Sequence, residues 1–256
     1  MSPSENEESV RLSVADEVQE RRNAWGRLPN RLFAFLLSAD FFFVAIFALA
    51  AILGFSQTKA FSIVSLDQES NPASWYSATQ IFLVALAFML LGSKLLPLRR
   101  RASDLKRLWM VLGLGFLYLS IDEGGEIHER LGKTLTRVGI KANVHGGGQW
   151  VFFYLLIAVA LLVFLHKDIL AAWRRWRPEM LLFAVGFVLM VCGEIGLEFL
   201  MVVHHWLGVA RLVEIGFEEG LGMVGISFMA WSAYRVLGYV LSSAPDAELA
   251  DTGGNA

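Results

Sequence analysis

The sequence predicts an all-α, polytopic membrane protein with six transmembrane helices in one bundle and both termini cytoplasmic. Three observations predict it. Of the 256 residues, 55% are hydrophobic and only 18% are charged, whereas soluble domains carry about 25% charge. Six stretches reach the length of about 20 mostly apolar residues that a spanning helix needs. Lysine and arginine also collect in alternate loops, which sets orientation.

The six stretches run from about 32–55, 74–96, 108–127, 150–166, 180–203 and 213–241. No segment alternates with period two, which argues against a membrane barrel. Arg21, Arg22, Arg27 and Arg31 precede the first stretch. Arg99, Arg100, Arg101, Lys106 and Arg107 fill the second loop, and Lys167, Arg174, Arg175 and Arg177 the fourth. These loops belong to the cytoplasm. The third loop, with Arg130, Lys133, Arg137 and Lys141, is placed outside because the others alternate.

Around this core, residues 1–30 read as a cytoplasmic segment, 31–241 as the six-helix domain and 242–256 as a disordered tail. Residues 1–20 hold no apolar h-region, so the first span is expected to act as its own insertion signal. The net charge of −2 carries no basic excess, so nucleic acid is not an expected partner. One cysteine, Cys192, excludes a disulfide framework. Asn71-Pro72-Ala73-Ser74-Trp75-Tyr76 reads as a helix start at the outer interface, with Asn as cap, Pro at the first position, and Trp and Tyr in the aromatic belt.

Charged groups inside spans mark function by default. Here they form three clusters: Asp122, Glu123, Glu126, His128 and Glu129; Glu194 and Glu198, followed by His204 and His205; and Glu214, Glu218 and Glu219. With the assigned orientation, Asp122 and Glu194 lie roughly 21 Å from the cytoplasmic end of their spans, at 1.5 Å per residue. Glu218 lies just below the outer end of its own. All three clusters therefore fall in the outer third of the bilayer.

Within each cluster the acids repeat at i, i+4, so like charges stack on one helix face and call for protons or a cation. Carboxylates with one or two imidazoles suit a divalent metal such as Zn, Fe or Mn. The expected ligands are Asp122, Glu126, His128, Glu194, Glu198 and Glu218, with Glu123 or Glu219 as acid or base. Glu129 and Glu214 are expected in interfacial water and His204-His205 near a solvated loop. Asp40, about nine residues from Arg31, falls in the cytoplasmic half of the first span, far from the outer acids; it is expected to pair with a basic loop residue, the alternative being one step of a proton route. Flanking glycines, with Gly216-x-x-x-Gly220 as a close-packing motif, would let these helices approach.

Ser120-Ile-Asp122-Glu123 followed by Ile127-His128-Glu129 resembles the hallmark of a group of uncharacterised bacterial multipass membrane proteins. Those share an Asn-Pro-x-x-Trp-Tyr start, here residues 71–76, and a late Glu-Glu-x-x-x-Met segment, here Glu218 to Met223. The resemblance implies a bacterial inner-membrane setting and no particular reaction. Ser120, Asp122 and His128 also suggest the membrane zinc hydrolases related to alkaline ceramidases, but the late His-x-x-x-His of those enzymes is missing.

The expectation is an inner-membrane protein with a carboxylate/His metal site in the outer half, acting as a metal-dependent enzyme on a lipid or small apolar substrate. A cation or proton-coupled transporter is one rival. A non-catalytic subunit with a partner in a membrane complex is the other.

Overall fold

A computed structural model describes residues 3–68, 71–93, 105–139, 150–193 and 208–242. Among these residues there are seven α-helices and no strand: α1 (Pro3–Ile52), α2 (Pro72–Gly92), α3 (Lys106–Gly125), α4 (Ile127–Arg137), α5 (Trp150–Arg175), α6 (Arg177–Val191) and α7 (Val209–Ser242). Four helical segments are long and apolar enough to cross a membrane: Asn23–Ile52 within α1, α2, α5 and α7. The remaining two expected spans are shorter. α3 has 20 residues and carries charges at both ends, and α6 has 15 described residues.

Local sequence explains most boundaries. Asn71 caps α2, its side-chain oxygen accepting from the backbone N–H of Ala73 at 2.9 Å and of Ser74 at 3.1 Å. Its amide donates to the carbonyls of Ser65 and Ser62, tying the preceding loop to the helix start. Pro72 follows at a position whose missing N–H costs nothing. Trp75 is 68% exposed, as an aromatic-belt residue would be, but Tyr76 turns into the bundle instead. α5 and α6 meet at Trp176, which is buried and packs its ring against Trp109 at 5.6 Å. Pro178 in the first turn of α6 then restarts the helix. The polar N-terminal stretch joins the first span directly, since α1 is one helix from Pro3.

The bundle is built on close antiparallel pairs. A Cβ on Gly92 would meet the Met110 backbone nitrogen at 2.7 Å, and one on Gly113 the Met89 backbone at 2.9 Å, so α2 and α3 touch along their length. In the second pair, a Cβ on Gly186 would lie 2.5 Å from the Gly225 carbonyl, and the reverse holds equally. Gly193 comes as close to Glu218 O, at 2.6 Å, so α6 and α7 approach at two levels. Such small-residue seams are how membrane helices gain dispersion contact. The Gly216/Gly220 motif instead faces Phe47 and Val44 of α1 at 3.5 and 3.2 Å, which is looser.

Helix α7 is the hub. It packs against α1, α2 and α6, and Gln80 of α2 reaches Ser227 on it at 2.9 Å. The apolar core between them holds Leu36, Val84, Ala85, Phe88, Met229 and Val236. α5 stands apart, with Phe152, Leu156, Val163 and Phe164 exposed. A helix this apolar on its outward faces matches a lipid surface.

Candidate functional site

α3 ends in a sharp turn, and the turn builds the site. Glu126 takes φ 54 and ψ 35, a left-handed conformation that non-glycine residues avoid. Its backbone N–H closes α3 on the Asp122 carbonyl, and α4 starts at the next residue. The reversal folds His128 back over Asp122. The His128 backbone N–H donates to Asp122 Oδ1 at 2.7 Å, and its ring Nδ1 lies 3.3 Å from the same oxygen. The carboxylate thus caps the first turn of α4, where the helix dipole favours an anion.

The second carboxylate oxygen is held from α5. Tyr154 donates its hydroxyl to Asp122 Oδ2 at 2.9 Å and meets Tyr118 Oη at 2.9 Å. Trp150 packs against both partners, tilted to the His128 ring at 4.7 Å between centroids and edge-on to Tyr154 at 5.3 Å. From α2, Ser77 lies beside the Glu123 carboxylate, and Ser120 of α3 donates to Ala78 O at 2.8 Å. A carboxylate, an imidazole, a second carboxylate and two phenols therefore converge where α2, α3, α4 and α5 meet.

The third expected cluster has a different character. Arg211, one turn ahead of Glu214, binds that carboxylate directly, lies 3.7 Å from Glu218, and reaches Asp67 at 3.0 Å. Glu214 is 2% exposed, not interfacial as the sequence suggested, because α7 enters the bundle at that level. Its Oε1 has no hydrogen-bond partner among the described residues. The Arg211 charge gives Glu218 a cation already, so that side chain is a member of an ion network. Burial pushes the Asp67 carboxyl above the usual carboxylate range, against the opposing pull of Arg211.

Asp40 also departs from expectation. It is 1% exposed and, among the described residues, pairs with no basic loop residue; its neighbours are Tyr76 and Gln80 of α2 and Ser227 of α7. Tyr76 stands directly before Ser77 in the chain, so Asp40 and Glu123 flank α2 at neighbouring levels. The expected distance of Asp40 from the outer acids came from counting down α1, which misses how α1 and α2 register against each other.

Of the expected site residues, the structure gathers Asp122, Glu123, Glu126 and His128 at the end of α3, and places Glu218 with Arg211 on α7. Glu219 is half-buried beside it. Glu194, Glu198, His204 and His205 lie outside the described residues. Among the described residues, no group of three or more His, Cys, Asp or Glu side chains is placed to hold a metal ion. Glu129, as expected, is exposed and pairs with Lys133.

Sequence reasoning passed over Tyr154, Tyr118, Ser77 and Arg211. Arg211 was the findable one, because it stands three residues before Glu214 and seven before Glu218, on their helix face. The tyrosines carried no comparable signal.

No curated protein and no solved structure matches the chain. A family model does match, over residues 26–236, from α1 to near the end of α7. That span takes in every group of the site just described, and by it the chain belongs to the family described as a domain of unknown function, DUF8692.

Proposed function

We propose that the chain is a bacterial inner-membrane protein of six spans, with α3 and α6 crossing beside the four longer helices and both ends cytoplasmic. We further propose that its outer half carries an acid–base site acting on the polar end of a lipid or small apolar substrate. The observation that carries this reading is the Asp122–His128 pair. A carboxylate 3.3 Å from a ring nitrogen fixes the tautomer and orientation of the imidazole, the arrangement in which histidine moves protons well. The left-handed Glu126 turn supports it, since such strain collects at working sites. Glu123 stands beside the pair as a second acid or base.

Support for the spans comes from direction. α3 runs antiparallel to α2, and α6 to α7, along glycine seams that leave no space for side chains. That pairing agrees with the N-terminal segment and the second and fourth loops sharing the cytoplasmic side, with the third loop outside.

A second reading keeps the divalent metal. Carboxylate–histidine contacts also orient metal-bound imidazoles, and His128 with Glu126, Glu194 and Glu198 would form the ligand set, for Zn, Fe or Mn. Asp122 then supports the ligand and is not one itself. Glu218 drops out of the set because Arg211 holds it.

The test is labelling of the purified protein in liposomes by a lipid bearing a photoreactive headgroup, with elemental analysis of the same sample. The acid–base reading expects label in the peptides holding residues 118–128 and 150–154, competed by unlabelled lipid. Label spread without preference along the apolar face of α5 counts against it. A stoichiometric metal that is lost on His128→Ala selects the second reading.

A further inference from the structure

The Asp40 network contains one more short contact than its partners have protons to fill. Tyr76 Oη lies 2.7 Å from the Leu36 carbonyl and 2.7 Å from Asp40 Oδ1. Gln80 Nε2 lies 2.8 Å from Asp40 Oδ1, 2.9 Å from Ser227 Oγ and 3.5 Å from the Met223 carbonyl, and Ser227 Oγ lies 2.7 Å from Asp40 Oδ2. The Met223 contact is at the outer limit of hydrogen bonding, and each of the other five, at 2.7–2.9 Å, needs its own proton. With Asp40 ionised, the tyrosine brings one, the serine one and the amide two. The amide protons go to Asp40 and Ser227, and the serine proton goes to Asp40. The single tyrosine proton is left to serve both the Leu36 carbonyl and Asp40 Oδ1.

We infer that Asp40 is a proton-binding site, a neutral carboxylic acid whose own proton is the fifth. Asp40 Oδ1 then donates to Tyr76 Oη, and Tyr76 donates to the Leu36 carbonyl. Oδ1 still accepts from Gln80, and Oδ2 still accepts from Ser227.

Two alternatives fail on the same geometry. Reversing the Gln80 amide removes two donors from the network and widens the deficit. A metal cation has no room between atoms 2.7–2.9 Å apart. The surroundings agree: Asp40, Gln80 and Ser227 are 1%, 0% and 0% exposed, and every group bonded to Asp40 is neutral. Gln80 Oε1, equally buried, has no partner among the described residues, so the amide lends the carboxyl group nothing further. Charge without a counter-charge is expensive at this depth, and a proton removes it.

The site joins α1, α2 and α7, so the proton is the ligand that holds this three-helix junction together. It stands on its own observation and does not depend on how the Asp122–His128 pair works.

Infrared spectroscopy of the full-length protein in detergent at neutral pH tests the inference. Wild type is expected to show a carboxylic-acid C=O band that disappears in Asp40→Asn. The same band is expected to move to higher frequency in Tyr76→Phe, where the proton loses its acceptor. A difference spectrum between wild type and Asp40→Asn that shows only a lost carboxylate band overturns the inference. Should Asp40→Asn fail to fold, Tyr76→Phe and Ser227→Ala decide. A carboxylic band shifted by either supports the inference, and one moved by neither overturns it.

Discussion

Tyr154 donates to Asp122 at 2.9 Å, and this bond links α5 to the C-terminal end of α3. The other end of α5 is held by a second polar link, Arg107 to Asp168 at 2.8 Å. Between the two, most of the apolar surface of α5 faces outward, and only Leu165 and Ala172 are buried. The helix therefore depends on its polar ends for position. Tyr154→Phe is expected to cost about 1.5–3 kcal/mol, the range for a hydrogen bond to a charged group. Hydrogen exchange should locate the loosening in the first turns of α5, with α2 and α3 unchanged.

The glycine seam between α6 and α7 predicts a steep size dependence. Gly186→Leu or Gly225→Leu drives side-chain atoms into backbone 2.5 Å from the new Cβ, and backbone cannot step aside as a side chain can. Each is expected to destabilise by at least the ~1–3 kcal/mol of ordinary overpacking. Gly220→Ala, facing only the Val44 methyl at 3.2 Å, should be far milder. Thermal melts in one detergent would rank the three.

Arg211 makes the buried Glu214 tolerable. Removing it as Arg211→Gln leaves that carboxylate uncompensated, a loss of about 3 kcal/mol at the low end for broken buried pairs, since Arg211 is itself partly exposed. Adding Glu214→Gln should recover most of the loss. A double variant no more stable than Arg211→Gln would show that the arginine acts through Asp67 and Glu218 instead.

Asp67 makes a pH prediction. Its carboxyl is raised in the folded protein, so the fold binds its proton more tightly than the unfolded chain does. Its contribution is therefore fully present below the usual carboxylate range and is lost as pH rises through the raised value. Asp67→Asn should flatten that part of the stability profile. Because Asp67 is half-exposed, the change should be small and further reduced by salt. A profile identical to wild type would contradict the assignment.

The Glu126 turn separates stability from function. Glycine accepts φ 54 freely, so Glu126→Gly should stabilise the fold by about 1 kcal/mol. A loss of stability would mean that the Glu126 side chain makes contacts worth more than the strain it causes.

Local signals were legible in the sequence, and tertiary ones were not. The Asn71 cap and the Pro72 start follow from neighbours a few residues away, and they stand as read. The inward turn of Tyr76 depends on Asp40, on another helix, and an aromatic at a helix start gives no hint of it. The acids of α3 were visible as expensive residues in an apolar stretch, but the groups beside them, Tyr154 and Ser77, are ordinary membrane-helix residues. Gly216/Gly220 had the recognised spacing, yet the closest seams are single glycines paired across helices, such as Gly186 with Gly225. Spacing within one helix cannot reveal those.

In the proposed function, Asp122 and His128 work together on a substrate at the outer face of the membrane. The most direct measurement is mass spectrometry of bacterial polar lipids after incubation with the protein in liposomes. Wild type is expected to convert at least one lipid species, and Asp122→Asn and His128→Gln, shown to be folded by hydrogen exchange, are each expected to abolish the conversion. Conversion that persists in both folded variants would contradict it, as would no change in any lipid with wild type.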